Sequence, residues 1–235
     1  MEFLVTMTTH VPDGTTSETV DGVRAREAAH TRELAAQGHV LRLWRPPLAA
    51  GEWRTLGLFA AVDAAGLEQV LASMPLRVWR TDDVQELADD PDDPAPGSGK
   101  LVRPGAGDTE FLVTFTPTAP GGSSPREAGD QGETVAQEAR RTSELARQGH
   151  LVRLWRRPGG PPVPAGPSVL GLWRAAGPPE LAAILDSLPL RQYVTTQVTA
   201  LTPHPSDPMA PGSRSAASPL APQPRGPRER PAPPA

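Results

Sequence analysis

A chain of 235 residues with 23 basic and 27 acidic side chains, net charge −4, carries no cationic field for a phosphate backbone, so nucleic acid is excluded as an expected partner. The absence of cysteine excludes disulfides, thiolate metal sites and a cysteine nucleophile, and is compatible with a reducing compartment. Without a recognisable secretory signal or an apolar run of about 20 residues, the expectation is a cytoplasmic protein that makes no membrane contact.

In chain order, "FLVTMTT" (3–9) is short, apolar and β-prone, and a loop-forming "VPDGTTSET" follows it. "TVDGVRAREAAHTRELAAQ" predicts a helix stopped by Gly38, a residue suited to a left-handed cap. "HVLRLWR" (39–45) predicts a strand, with Leu41 and Leu43 on one face and Val40, Arg42 and Trp44 on the other. "RTLGLFAAV" is a further strand, "DAAGLEQVLASM" a second helix capped by Asp63, and "LRVWRTDDVQEL", after Pro75, a last strand. The same order then returns. "RELAAQGHVLRLWR" (32–45) and "SELARQGHLVRLWR" (143–156) are identical at ten of fourteen positions. The second set comprises a strand at 111–117, a helix near 132–148, strands at 150–156 and 168–175, a helix near 178–187 and a strand at 190–201.

The expected fold class is therefore α+β: two tandem ferredoxin-like βαββαβ domains, each with both helices on one face of a four-stranded antiparallel sheet. Each unit leaves one sheet face bare, so the two sheets are expected to pack face to face as a dimeric α+β barrel within one chain. The expected boundaries are 1–87 for repeat one, 88–109 for an acidic, Pro- and Gly-rich flexible linker, 110–208 for repeat two and 209–235 for a disordered Pro-rich tail.

"FLVTMT", a helix carrying "RAREAAHTRELAAQG", then "RLWR", "GEWRTLGLF", "LASMPL" and, in repeat two, "LTPHPSDP" together resemble the muconolactone Δ-isomerase family. The resemblance covers nearly all of each repeat and excludes linker and tail. It implies a small ferredoxin-like enzyme that assembles into a homo-oligomer and converts muconolactone to 3-oxoadipate enol-lactone in bacterial catechol breakdown, with no metal or organic cofactor. It places the family's proton-shuttling glutamate at Glu27 and Glu138. A substrate-contacting tyrosine and asparagine of the family fall on Trp53 and Thr55, and in repeat two on Pro167 and Val169. The family's His-Pro-Ser persists as His204, Pro205 and Ser206, whereas repeat one has Asp90 at that place. These departures leave substrate identity open and weigh more against repeat two than repeat one.

The implied reaction removes the proton γ to a lactone carbonyl, forms a dienolate and returns the proton at the α carbon. One carboxylate of raised pKa can serve both steps, beside a partner for the dienolate oxygen. Arg45 and Arg156, closing each "LWR", are candidates for the substrate's carboxylate or lactone oxygen, or alternatively strand-end residues pairing with linker acids. His39 and His150 are further polar candidates, although a histidine just after a helix-stopping glycine can simply favour the helix dipole. Trp44 and Trp155 read as core or interface aromatics. The histidines lack metal-ligand spacing, and "GGSSP" (121–125) lacks the lysine of a phosphate loop, so it reads as a plain loop. Two rivals remain: a lactone dehalogenase using the same base, and a non-catalytic module that binds a small ligand or only assembles.

Overall fold

A computed structural model describes residues 1–97, 101–118, 131–158 and 168–210. The loop at 121–125, Pro167 and the tail beyond residue 210 lie outside those residues.

Repeat one contains β1 (Glu2–Thr9), α1 (Ser17–Ala36), β2 (Val40–Arg45), β3 (Arg54–Ala60), α2 (Ala64–Ser73) and β4 (Arg80–Asp89). Repeat two contains β5 (Thr109–Pro117), α3 (Gln131–Arg147), β6 (Leu151–Arg156), β7 (Val169–Ala175), α4 (Pro178–Asp186) and β8 (Val194–Pro203). Local chemistry sets the helix ends. The Thr16 hydroxyl accepts from the Thr19 N–H, and Asp63 accepts from the Gly66 N–H at 2.7 Å, each satisfying a first-turn donor that has no intrahelical partner. Gly38 and Gly149, at φ 82° and 85°, take the left-handed conformation that releases the chain into the following strand.

Two expectations need correction. The last strand of each repeat begins later than its apolar pattern suggests, because Pro75–Trp79 and Arg191–Tyr193 are short 3-10 turns. In the first, proline sets φ at the turn's start, so Leu76 leaves the ladder and offers its N–H to α1 instead. The alternation assigned to β2 also fails. A register shift between Val40 and Arg42 changes phase, so Val40 and Leu43 pack under the helices while Leu41 and Trp44 pack on the opposite face. β6 repeats the irregularity between Leu151 and Arg153.

The eight strands close into a barrel in the order β1-β3-β2-β8-β5-β7-β6-β4. Short pairings join the repeats: Trp44 and Arg45 of β2 against Pro203 and Thr202 of β8, and Asp89 and Ala88 of β4 against Trp155 and Arg156 of β6. An eight-stranded barrel is narrow enough for side chains to fill, and here leucines from both repeats surround Trp44 and Trp155, each 1% exposed. Separate apolar layers lie beneath the helices of each repeat, around Phe3, Phe59 and Leu71 and around Phe111, Trp173 and Leu185. The segment expected as a flexible linker is anchored at several points. Ala88 and Asp89 extend β4, Asp93 is buried, and Leu101 enters the barrel cluster.

Two buried ionic clusters join the repeats reciprocally. Arg42 donates to Glu110 at 2.8 Å and to Asp207 at 3.2 Å, and the Trp44 indole N–H donates to the same Glu110 at 2.8 Å. Arg153 donates to Glu2 at 3.0 Å and to Asp93 at 2.9 Å, with Trp155 donating to Glu2 at 2.6 Å. Each guanidinium lies over its neighbouring indole, 4.7 Å and 4.9 Å from the ring centroids. Among the described residues, no helix is long and apolar enough to cross a membrane.

Candidate active site

A cavity of about 320 Å³ opens in repeat one between the helix layer and the end of the barrel. α1 contributes Arg24, Glu27 and Thr31, β1 ends there in Met7 and Thr9, β2 in Arg45, and β3 begins there beside Trp53 and Thr55. Met74, Leu76 and Arg80 close one side. The remaining wall is His204, Pro205 and Ser206, which belong to repeat two. β8 delivers them: after Pro203 pairs with Trp44, the His204 N–H donates to the Leu43 carbonyl at 3.0 Å.

Glu27 is the carboxylate at the centre of this arrangement. One oxygen accepts the Leu76 N–H at 2.8 Å and the other lies 3.4 Å from an Arg80 guanidinium nitrogen. Arg80 is itself engaged more closely by Asp82, at 2.6 Å and 3.0 Å. Its positive charge is therefore largely answered before it reaches Glu27. Burial pushes the Glu27 carboxyl above its ordinary value and Asp82 adds to the rise, while the Leu76 N–H and the Arg80 and His30 charges offset only part of it. A carboxylate so placed is a stronger base than one in water, yet keeps an open side toward the cavity.

Cations surround the opening. Arg24 stacks on Trp53 with its guanidinium carbon 4.3 Å from the ring centroid, and its nearest acid, the exposed Asp21, is 3.7 Å away. Arg45 is exposed, lines the cavity and has no ion-pair partner among the described residues. His204 lies beside it. Burial first and the Arg45 charge second push the His204 imidazole down to about 4, so the ring is neutral at physiological pH. Its Nδ1 accepts the Ser206 N–H at 3.1 Å.

The equivalent place in repeat two keeps Glu138, whose carboxylate accepts the Leu190 N–H at 2.9 Å. Its pKa is also raised, by burial and by the nearby Asp92. The rest differs. Matching the repeats along their strands and helices puts Val135 where repeat one has Arg24, Val194 where it has Arg80, and Thr196 where it has Asp82. Val169, in the place of Thr55, packs against the apolar layer of repeat two.

Several expected site residues are not brought together. Arg156 pairs with Asp90 at 3.2 Å, the contact expected of a strand-end residue held by a nearby acid. His39 and His150 stand at the far ends of β2 and β6 from Arg45 and Arg156, a separation of about 20 Å along a strand. There the His39 Nδ1 meets the Ala60 carbonyl at 3.1 Å and the His150 Nδ1 meets the Arg174 carbonyl at 3.0 Å, so neither contributes to the cavity. The His-Pro-Ser motif lies in repeat two but completes the cavity of repeat one, and Asp90 of repeat one crosses the other way. Arg24 and Arg80 were missed because one sits in an arginine-rich helix and the other begins a strand, where a solvated charge is the ordinary expectation. Among the described residues, no three His, Cys, Asp or Glu side chains are grouped to hold a metal ion.

A family model described as Muconolactone delta-isomerase matches residues 1–93 and 109–207. The curated Muconolactone Delta-isomerase 1 of Acinetobacter lwoffii is 30% identical over 91 residues, covering 39% of this chain and 92% of that protein. Among solved structures, a heme-binding protein from Thermus thermophilus aligns with a TM-score of 0.52 at 11% identity, covering 88% of this chain and 93% of that one. A chlorite dismutase variant from Candidatus Nitrospira defluvii aligns at 0.52 and 14% identity, covering 86% and 91%. At such identities these two likenesses concern the fold alone.

Proposed function

We propose that this chain, which belongs to the muconolactone delta-isomerase family, is a cofactor-independent isomerase that moves the double bond of a carboxylated lactone, with (S)-muconolactone as substrate and 3-oxoadipate enol-lactone as product. The observation that carries the reading is Glu27: a carboxylate of raised pKa, held by the Leu76 N–H and open to a cavity rimmed by arginines. Arg45 and Arg24 take the acetate carboxylate, and Trp53 covers the ring while holding Arg24 in place.

The chemistry then needs few parts. Glu27 removes the ring proton γ to the lactone carbonyl, and the electron pair of that C–H bond moves through the ring to leave a dienolate. The same carboxyl group returns the proton to the α carbon, and the double bond ends between the β and γ carbons. Atoms and charge balance without any co-reactant. The raised pKa suits both steps, because a base that is too weak cannot take the proton and one that is too strong cannot return it. Repeat two has Val135 and Val194 at the counterparts of Arg24 and Arg80, so among the described residues Glu138 lacks the cations that those positions bring to repeat one. The family relationship also supports self-association of the chain.

Ultraviolet and NMR monitoring of the purified protein with (S)-muconolactone in deuterated buffer tests the reading. Enol-lactone is the expected product, and its new α hydrogen is protium to the extent that the carboxyl returns the proton it removed before exchanging with solvent. A folded protein that leaves muconolactone unchanged would remove the substrate assignment.

A further inference from the structure

We propose that His204, carried into repeat one's cavity by the last strand of repeat two, is the neutral hydrogen-bond donor that receives the dienolate oxygen. The inference rests on the isomerase reading and assigns the one role that reading leaves unfilled. A dienolate needs a donor aimed at its oxygen, and the arginines at the rim are assigned to the substrate's carboxylate.

The geometry settles the ring's tautomer. Nδ1 accepts a hydrogen bond from the Ser206 backbone N–H at 3.1 Å, so in a neutral ring the proton sits on Nε2. Burial and, after it, the neighbouring Arg45 charge disfavour a second proton on the ring. Nε2 has no hydrogen-bond partner among the described residues and is not sealed in the interior. His204 lines the cavity that also holds Glu27, and as the donor it turns Nε2 toward that cavity. The ring is locked from behind as well: the His204 N–H is tied to Leu43 and the following turn closes through Asp207, whose N–H donates to the His204 carbonyl at 2.8 Å. Asp207 in turn sits in the buried cluster with Arg42. The donor is thus fixed by the same contacts that join the two repeats.

The pseudo-equivalent position makes the opposite choice. Asp90 occupies it and is held by Arg156. A side chain there that is engaged as the acceptor of Arg156 supplies no counterpart of the imidazole donor. The crossing of His204 into repeat one brings a donor into the cavity that holds Glu27.

Two variants separate chemistry from scaffolding. His204→Asn keeps an acceptor near the Nδ1 position for Ser206 but removes the Nε2–H donor, whereas His204→Gln carries an amide N–H toward the Nε2 position. For turnover of (S)-muconolactone, H204N is expected to lower kcat by about 100-fold while KM changes by less than about threefold, and H204Q is expected to recover most of the loss. In the free wild-type protein, long-range ¹H–¹⁵N spectra at neutral pH are expected to give the Nε2–H tautomer. H204N with wild-type kcat, an Nδ1–H tautomer, or an imidazolium at neutral pH would each overturn the inference. If folded wild-type protein does not turn over muconolactone, the isomerase reading fails separately. Titration with the saturated lactone acid, (5-oxotetrahydrofuran-2-yl)acetate, then decides for His204: a shift of its Nε2 resonance supports the donor, and an unmoved resonance overturns it.

Discussion

At the scale of single residues, Glu27 and Glu110 show how one side-chain type is driven in opposite directions. Burial raises both. At Glu27 the remaining contacts are one backbone N–H and a distant, shared arginine, so burial prevails. At Glu110 burial is outweighed by the hydrogen bonds and charge of Arg42, with Trp44 and Arg174 adding to them, so that carboxyl is held below its ordinary value. Glu27 must be ionised to act as a base, and its activity limb should follow its own titration. The rising limb of kcat/KM against pH is therefore expected above the ordinary glutamate value of 4.5, with activity lost as pH falls through it. A limb at or below that value would contradict the assigned environment. For Glu110 the sign concerns stability. A depressed carboxyl contributes stability above its unfolded value of 4.5, and that contribution is lost as pH falls through the lower folded value. Urea unfolding at successive pH values should accordingly show Glu110→Gln flattening the acid-side loss of stability, while an unchanged slope would dissociate Glu110 from it.

At the scale of elements, the buried arginines of β2 and β6 differ in a measurable way. Removing either leaves carboxylates without their main cation inside the barrel, a change that costs about 3–5 kcal/mol. Arg42→Met still leaves Arg174 on Glu110 at 3.0 Å, whereas Arg153→Met leaves Glu2 with only the Trp155 N–H among the described residues. Arg153→Met should therefore be the more destabilising, as judged by urea midpoints at neutral pH; equal or reversed costs would argue against that difference. The arginines also bear on what the sequence could reveal. Helices and element order were legible, because the Ala-, Leu- and Glu-rich runs of α1 and α3 end near glycines, α2 stops before Pro75, and the whole pattern occurs twice. The shifts of phase in β2 and β6 were not, since a bulge depends on how the partner strand seats and leaves no mark on apolar alternation. The 3-10 turns were hidden for a related reason. "LRVW" looks like a strand until the pull of Glu27 on the Leu76 N–H is known. The buried clusters did leave a trace: "EFLVT", "RLWR" and an Asp-Pro after each repeat recur together, yet arginine and acids in strands are ordinarily taken as solvated.

At the scale of the whole molecule, closing the barrel exchanges the ends of the repeats. β8 ends on repeat one and β4 ends on repeat two, so a motif read in one repeat acts in the other. Glu27 was legible through its recurrence at Glu138 and the family resemblance. The assembly around it was not, because the sequence does not say which repeat supplies the wall of which cavity. His204, Arg24, Arg45 and Arg80 line the same cavity as Glu27, whereas valines stand at the counterparts of Arg24 and Arg80 in repeat two and Asp92 is the charge that acts on Glu138. Duplication has in this way kept the glutamate in both repeats, while among the described residues Arg24 and Arg80 have no arginine counterparts beside Glu138. The most direct test is the turnover of (S)-muconolactone by the single variants Glu27→Gln and Glu138→Gln beside wild type. Glu27→Gln is expected to lower kcat by about three orders of magnitude with its fold intact, and Glu138→Gln to retain wild-type kcat. Comparable losses in both variants, or activity retained in Glu27→Gln, would contradict the assignment of catalysis to repeat one's cavity.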